Sequence, residues 1–121
     1  MSLADAQYVL LTSYRKDGTP KGTPVWVVPD GDAIAIWTPT ESYKVKRIRR
    51  NPKVEVAPCE FSGRPTGESR SGKAEILDAG ATERVREAIR RKYGLMGWLT
   101  LFGSRLRRGL AGTVGIRITL D

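Results

Sequence analysis

The amino-acid sequence predicts a mainly β protein in which antiparallel strands form a barrel and a few helices cover it. Short runs rich in β-branched and aromatic residues recur along the chain, separated by turn signals such as Asp17-Gly18. Helical patterns are confined to a basic stretch near residue 45 and to the segment after residue 80. The chain has 121 residues, 40% of them apolar and 28% charged, which fits one domain spanning residues 1–121.

The predicted order of elements is β-β-β-α-β-β-α-α-β. The expected strands are 8–13, 23–28, 33–38, 53–57, 68–77 and 113–119, the first three forming an antiparallel meander. The expected helices are 41–50, 82–93 and a helical or irregular segment at 95–110. Pro24 indicates that the second strand is an edge strand or is unpaired in its first half. Ser42 and Thr82 are the expected N-caps, and Asn51-Pro52 ends the first helix.

Charge and residue usage narrow the classes of function. The chain has 21 Lys and Arg against 13 Asp and Glu, so it attracts nucleic acid, an acidic membrane face, or a ligand with several phosphates or carboxylates. A single cysteine, Cys59, excludes an internal disulfide, and the absence of histidine argues against a metal site and against imidazole catalysis. No residue is identified as a catalytic acid or base. Any redox chemistry must therefore come from a bound cofactor.

The sequence also favours a cytoplasmic protein. Residues 1–7 are short and polar and do not read as a secretory signal. The longest apolar stretch, 94–103, is about half as long as a membrane span requires. We therefore expect no stable membrane insertion, and a role for this stretch in covering the barrel or lining a pocket is favoured over membrane-surface contact.

The strongest functional signal lies between Ile36 and Pro52. A strand that ends in Thr38 leads through a short loop into a helix with Lys44 in its first turn. Thr38, Ser42 and Lys44 can converge there, and Arg47 lies one helical turn beyond Lys44 on the same face. Hydroxyls and free backbone amides at a helix start, together with a lysine, predict an anion pocket. The alternative is a solvated basic helix.

The same stretch resembles the pyridoxamine-phosphate-oxidase-like superfamily of FMN-binding split β-barrels. Members carry an aromatic residue, a threonine, three variable residues, Ser-Arg-Lys, and a helix that closes at Asn-Pro. The matching residues here are Trp37, Thr38, Ser42, Lys44, Asn51 and Pro52. Tyr43 stands where the family has arginine, so one phosphate contact expected for FMN is missing.

Three further segments fit the same family pattern, so the resemblance covers roughly residues 8–77. They are 17–20, 23–26 and 72–75. The run 44–52, followed by Val56-Ala57-Pro58-Cys59, is similar to the actinobacterial flavin/deazaflavin oxidoreductases.

The resemblance implies an FMN-binding-type split β-barrel that forms a homodimer, with two cofactor sites in grooves between the subunits. It places the cofactor phosphate on Thr38, Ser42, Lys44 and Arg47, and the ring along Pro24, Val25 and Trp26. It implies hydride transfer between the reduced coenzyme and a small organic substrate. The deazaflavin coenzyme F420 is favoured over FMN, since its acidic oligoglutamate tail suits a net charge of +8. Arg64 and Arg70 could contact that tail, although the favoured alternative is that both are solvated surface residues.

Several alternatives stay open at this point. The protein could be an FMN-binding oxidoreductase, or a cofactor-binding protein without turnover. Trp26 and Trp37 could be core or dimer-interface residues rather than ring-stacking residues. A nucleic-acid-binding module is disfavoured because aromatic residues do not alternate with the basic ones.

Overall fold

Seven antiparallel strands form one curled sheet. The computed structural model describes the backbone of residues 3–108 and 112–121 and the side chains of residues 3–94 and 112–121. The strands are β1 (Tyr8–Tyr14), β2 (Pro20–Val25), β3 (Val27–Asp30), β4 (Ala33–Pro39), β5 (Lys53–Cys59), β6 (Arg70–Ile76) and β7 (Thr113–Leu120). The helices are α1 (Tyr43–Arg50) and α2 (Ala79–Arg108), and a short 3-10 turn at Leu3–Asp5 precedes β1. The strand order in the sheet is β2-β1-β5-β6-β7-β4-β3.

The two edge strands, β2 and β3, are consecutive in the chain, with only Trp26 between them. Val25 pairs with Val9 on β1, whereas Val27 pairs with Ile36 on β4. Since the chain leaves one end of the sheet and enters the other within three residues, the sheet curls until its two ends approach each other. The predicted mainly β split barrel with helical covers is thereby confirmed.

The prediction of a single strand over 23–28 was wrong. This run is two strands on opposite edges of the sheet, so the first three predicted strands are not a continuous meander. The sequence gives no sign of the change of strand at Trp26, because the residues before and after it are apolar and pack against the hydrophobic clusters of the protein. Pro24 does lie on an edge strand, as predicted, where a missing backbone donor is tolerated.

The barrel interior is filled by the inward side chains of the strands and by α1. Along β1 buried and partly exposed residues alternate, the pattern of a strand with one face in a core. Val45 and Ile48 of α1 lie three residues apart and are both buried, as the narrow apolar stripe predicted. The members of this core are Leu3, Val9, Leu11, Val27, Ile34, Ile36, Val45, Ile48, Val54, Val56, Ala74, Val114, Ile116 and Ile118.

The helix α2 packs on the outside of the sheet. Its residues Ala81, Val85 and Ile89 form a second apolar cluster with sheet residues that include Val28 and Ala35. Gly94 has φ 61° and interrupts the helix, so α2 consists of two helical segments. The backbone of the second segment is helical to residue 108, which agrees with the helical alternative for 95–110. Its side chains and residues 109–111 lie outside the described part of the chain.

The N-cap of α2 is Asp78 and not Thr82 as predicted. The Ala81 N–H donates to Asp78 Oδ1 at 2.8 Å, the side-chain bond typical of an N-cap. Thr82 is buried within the helix, and its hydroxyl accepts from the Gly115 N–H of β7 at 3.0 Å. Gly80, a weak helix former in the first turn, conceals the true start of the helix in the sequence.

Removing this cap should destabilise the protein measurably. We expect Asp78→Ala to lower the free energy of unfolding by about 0.5–2 kcal/mol, because one amide at the start of α2 loses its acceptor. Urea denaturation checks this, with Asp78→Asn as the control that keeps an accepting oxygen. An Asp78→Ala protein that unfolds at the wild-type midpoint would show that this cap adds no stability.

None of the helices in the described part of the chain combines the length and the apolar character needed to cross a lipid bilayer.

Candidate functional site

A cavity of about 530 Å³ lies where β2, the β2–β3 junction and the end of β4 come together. It is lined by Tyr8, Thr23, Pro24, Val25, Trp26, Trp37, Thr38, Pro39, Lys44 and Phe61. The structure thus brings the predicted ring-binding segment, 24–26, into the same cavity as Thr38 and Lys44. These two groups are separated in sequence by a β-hairpin, and they meet because the sheet is curled.

Polar side chains converge at one end of this cavity. The Lys44 Nζ donates to Thr38 Oγ1 at 3.1 Å, and Thr38 Oγ1 lies 3.4 Å from Ser42 Oγ. Thr38 is almost completely buried near the end of β4, and Ser42 stands at the N-cap of α1. The Ser42 hydroxyl makes no cap bond to the helix, so it is directed to the Thr38–Lys44 pair instead. The predicted convergence of these three residues is present in the structure.

The charge of Lys44 is not neutralised by the protein. Burial lowers the pKa of the Lys44 ammonium, and repulsion from Arg47 lowers it further. Among the side chains that the structure describes, no carboxylate forms an ion pair with Lys44. A partly buried cation beside a second cation is stabilised when an anion binds, because the anion favours the charged form. This end of the cavity is therefore suited to an anionic group.

Arg47 lies beside this cluster but outside the lining of the cavity. Its Nε donates to Ser13 Oγ on β1 at 2.7 Å, and Ser13 is almost fully buried. Burial, and then the neighbouring cations Arg15 and Arg50, lower the pKa of Arg47. Arg47 is thus placed on the predicted face of α1 and contributes positive potential, while its observed hydrogen bond anchors the helix to the sheet.

The opposite walls of the cavity are apolar and aromatic. Pro24 and Val25 come from the edge strand β2, and Trp26 follows them at the junction. Trp26 stacks on Tyr93 of α2, with ring centroids 4.3 Å apart and an interplanar angle of 10°. Trp37 packs partly against the outer apolar cluster, and its Nε1 is buried without a hydrogen-bond partner among the described residues. Both tryptophans therefore contribute to packing and to the cavity wall at once.

The sequence analysis missed two aromatic residues of the cavity, Tyr8 and Phe61. Their rings meet edge to face, with centroids 5.6 Å apart, and Phe61 is 76% exposed. Phe61 belongs to the loop between β5 and β6, and its only signal in the sequence is that it is a large apolar residue on a loop, where binding residues are common. Tyr8 carries no comparable signal, because it begins an ordinary strand.

The two arginines considered for a coenzyme tail, Arg64 and Arg70, are not among the residues that line the cavity. The Arg70 guanidinium donates to the backbone carbonyl of Asp121 at 3.3 Å, near the end of β7.

A family model described as pyridoxamine 5'-phosphate oxidase matches residues 2–121. The chain belongs to the pyridoxamine 5'-phosphate oxidase family. This confirms the resemblance that Trp37, Thr38, Ser42 and Lys44 carry in the sequence. A search of the curated proteins finds none that matches the chain.

Solved structures share the split barrel of this family. A conserved hypothetical protein from Mycobacterium tuberculosis is 23% identical with a TM-score of 0.74, and the match covers 100% of this chain and 81% of that one. An F420 reductase is 19% identical with a TM-score of 0.58, over 98% of this chain and 90% of that one. An FAD-binding protein from Mesorhizobium loti is 20% identical with a TM-score of 0.64, over 98% and 84% of the two chains. At these low sequence identities, the structural likeness shows that these proteins share a fold with this chain and nothing about their activities is transferred.

Proposed function

We propose that this chain is an oxidoreductase that holds a phosphate-bearing coenzyme of the flavin type in the 530 Å³ cavity. The deazaflavin F420 is the favoured coenzyme and FMN the alternative, and the partner in hydride transfer is a small organic molecule. One observation carries the proposal. Lys44 donates a hydrogen bond to Thr38 at one end of a cavity whose other walls are apolar and aromatic, and no carboxylate among the described side chains pairs with it.

The phosphate belongs at the polar end. Lys44 offers a charged donor, and the hydroxyls of Thr38 and Ser42 offer two more donors within 3.4 Å of each other. Charge-assisted bonds of this kind are shorter and stronger than neutral ones. Arg47 adds positive potential from one turn further along α1.

The ring belongs along Pro24, Val25 and Trp26. These residues form a mostly apolar wall at the end of the edge strand β2 and the junction that follows it, and Phe61 and Tyr8 provide aromatic surface in the same cavity. A volume near 530 Å³ lies within the range of cavities that bind small organic ligands, about 300–1,000 Å³.

Three observations favour F420 over FMN. Tyr43 stands where the family pattern has arginine, so this position supplies no cation for a compact FMN phosphate. The Tyr43 side chain is 75% exposed, and the Lys46 ammonium lies 5.3 Å from the centroid of the Tyr43 ring. Burial lowers the pKa of Arg47, and Arg15 and Arg50 are close enough to Arg47 to lower it further. The three arginines extend the positive potential beyond Lys44, which suits an acidic tail. An F420 reductase is also among the proteins that share the fold.

The chain's part in the reaction is to orient and to exclude water. When bound, the coenzyme supplies or accepts the hydride. The described lining contains no His, Asp, Glu or Cys, and its titratable side chains are Lys44, which we assign to the phosphate, and Tyr8. Hydride transfer requires little beyond alignment of the two reacting carbons. We propose that residues 1–121 act as one domain in a cytoplasmic homodimer whose partner copy covers the open side of the cavity.

Titration with each coenzyme tests the proposal. We expect micromolar quenching of tryptophan fluorescence by F420 and much weaker quenching by FMN, because Trp26 and Trp37 line the cavity. Oxidation of the reduced coenzyme is then followed with enones and quinones as acceptors. Tighter binding of FMN would overturn the preference for F420. Tight binding without turnover would identify a cofactor-binding protein, and binding of neither coenzyme would refute the proposal as a whole.

A further inference from the structure

The junction between β2 and β3 leaves backbone groups without a neighbouring strand. Val27 begins β3, the last strand at its end of the sheet, and pairs with Ile36 of β4 on one side only. On its open side a further strand would normally accept from its N–H and donate to its C=O. The partners come from α2 instead, where Tyr93 Oη accepts from the Val27 N–H at 3.0 Å and Lys92 Nζ donates to the Val27 carbonyl at 2.7 Å.

Lys92 and Tyr93 tie three parts of the chain together at this point. The Lys92 ammonium also donates to the carbonyls of Ala4 and Ala6, at 2.8 and 2.7 Å, so all three of its N–H groups have acceptors. The Tyr93 hydroxyl donates to the Gln7 carbonyl at 2.8 Å. The segment before β1, the start of β3 and the end of the first half of α2 are thereby joined.

The same pair of residues determines where Trp26 lies. The Tyr93 ring stacks on the indole nearly in parallel, while its hydroxyl is bonded to the residue that follows Trp26. One face of the indole is therefore covered, and Trp26 is at the same time one of the residues that line the cavity. Gly94, with φ 61°, interrupts the helix directly after these residues and so places both of them in the last turn of its first segment.

We propose that Lys92 and Tyr93 are positioning residues for the coenzyme site. They substitute for the missing strand beside Val27, fix the β2–β3 junction, and hold the Trp26 indole as one wall of the ring-binding part of the cavity. This inference rests on the proposed function for its effect on affinity. Its structural part, the restraint of Val27 and Trp26, stands independently.

The test uses variants that remove one contact at a time. Tyr93→Phe keeps the stacked ring and removes the hydroxyl, Tyr93→Leu removes both, and Lys92→Met removes the three ammonium bonds. Glu87→Gln is the matched control, since Glu87 lies on the same helix and pairs with Arg90 outside the cavity. The readouts are hydrogen exchange of the Val27 amide, acrylamide quenching of tryptophan emission, and the dissociation constants for F420 and FMN, all below the melting temperature of each variant.

We expect faster exchange at Val27 in Tyr93→Phe, greater quenching in Tyr93→Leu, and coenzyme affinity about three- to tenfold lower in Tyr93→Phe. The Glu87→Gln control should match the wild type in all three. Unchanged exchange at Val27 in Tyr93→Phe would overturn the restraint, and this single-atom variant still decides the matter if Tyr93→Leu fails to fold. Faster exchange with unchanged affinity would overturn the positioning role. A wild-type protein that binds neither coenzyme would refute the proposed function, while exchange and quenching would still judge the restraint.

Discussion

We expect replacement of Lys44 by methionine to lower the affinity for a phosphate-bearing coenzyme by about 10- to 100-fold and to leave the free protein at least as stable as the wild type. The loss follows because a hydrogen bond to a charged group contributes about 1.5–3 kcal/mol, and each 1.4 kcal/mol changes affinity about tenfold. The stability follows because the variant removes a partly buried cation that is repelled by Arg47. A functional residue whose removal does not destabilise the fold is the mark of a binding site rather than of a structural contact.

Lys44 makes both the stability of the protein and its affinity for the coenzyme depend on pH, and the direction of each effect follows from the pKa of its ammonium. Burial, and then Arg47, lower the pKa of the Lys44 ammonium in the folded protein, so the unfolded chain holds that proton more tightly. The contribution of Lys44 to the free energy of unfolding therefore rises with pH between the lowered pKa and the ordinary lysine value. Phosphate binding favours the ammonium, so affinity should fall as pH rises through the lowered pKa. In Lys44→Met this alkaline loss of affinity should disappear.

Calorimetric titration with F420 and FMN, together with thermal unfolding, measures both effects. Lys46→Met is the matched control, because it removes one positive charge from an exposed position of the same helix, near the Tyr43 ring and outside the cavity. A Lys44→Met protein that binds as tightly as Lys46→Met would exclude the polar end of the cavity as the phosphate site.

We expect truncation of Ile116 to alanine to lower the free energy of unfolding by about 2–5 kcal/mol. Ile116 is completely buried on β7 and pairs with Ile36 on one neighbouring strand and with Ile76 on the other. Its truncation leaves a cavity within the barrel that the paired strands cannot close. Urea denaturation measures the loss, with Ile116→Val as a graded control expected to lose about 0.5–1.5 kcal/mol. A loss below that of the valine variant would mean that the barrel interior is not closely packed around this strand.

The features that the sequence predicted are those that depend on local order. Thr38 and Lys44 are six residues apart, and a strand end, a loop and a helical turn suffice to bring them together. Val45 and Ile48 likewise mark the buried face of α1 through their spacing alone. The split-barrel fold was accessible because alternation, turn residues and a family motif all indicate the same architecture.

The features that were missed depend on contacts between distant segments. No local pattern shows that the chain crosses to the other end of the sheet at Trp26, because the residues on either side are equally apolar. The bonds from Lys92 and Tyr93 to Val27 join positions 65 and 66 residues apart. The meeting of Tyr8 with Phe61 requires the loop after β5 to fold beside β1. Such contacts are determined by the closure of the whole sheet and not by propensity.

The one-residue connection at Trp26 couples the alignment of the two edge strands. A loop of several residues could change its conformation when one strand shifts along its neighbour. A single linking residue is too short to do so, and the shift is passed on to the next strand. If β2 slipped by one position against β1, the start of β3 would be drawn along β4, and the buried Val27 and Val28 would exchange faces. The register of β2 on β1 and the register of β3 on β4 therefore stabilise each other, although β2 and β3 are not hydrogen-bonded to one another as strands.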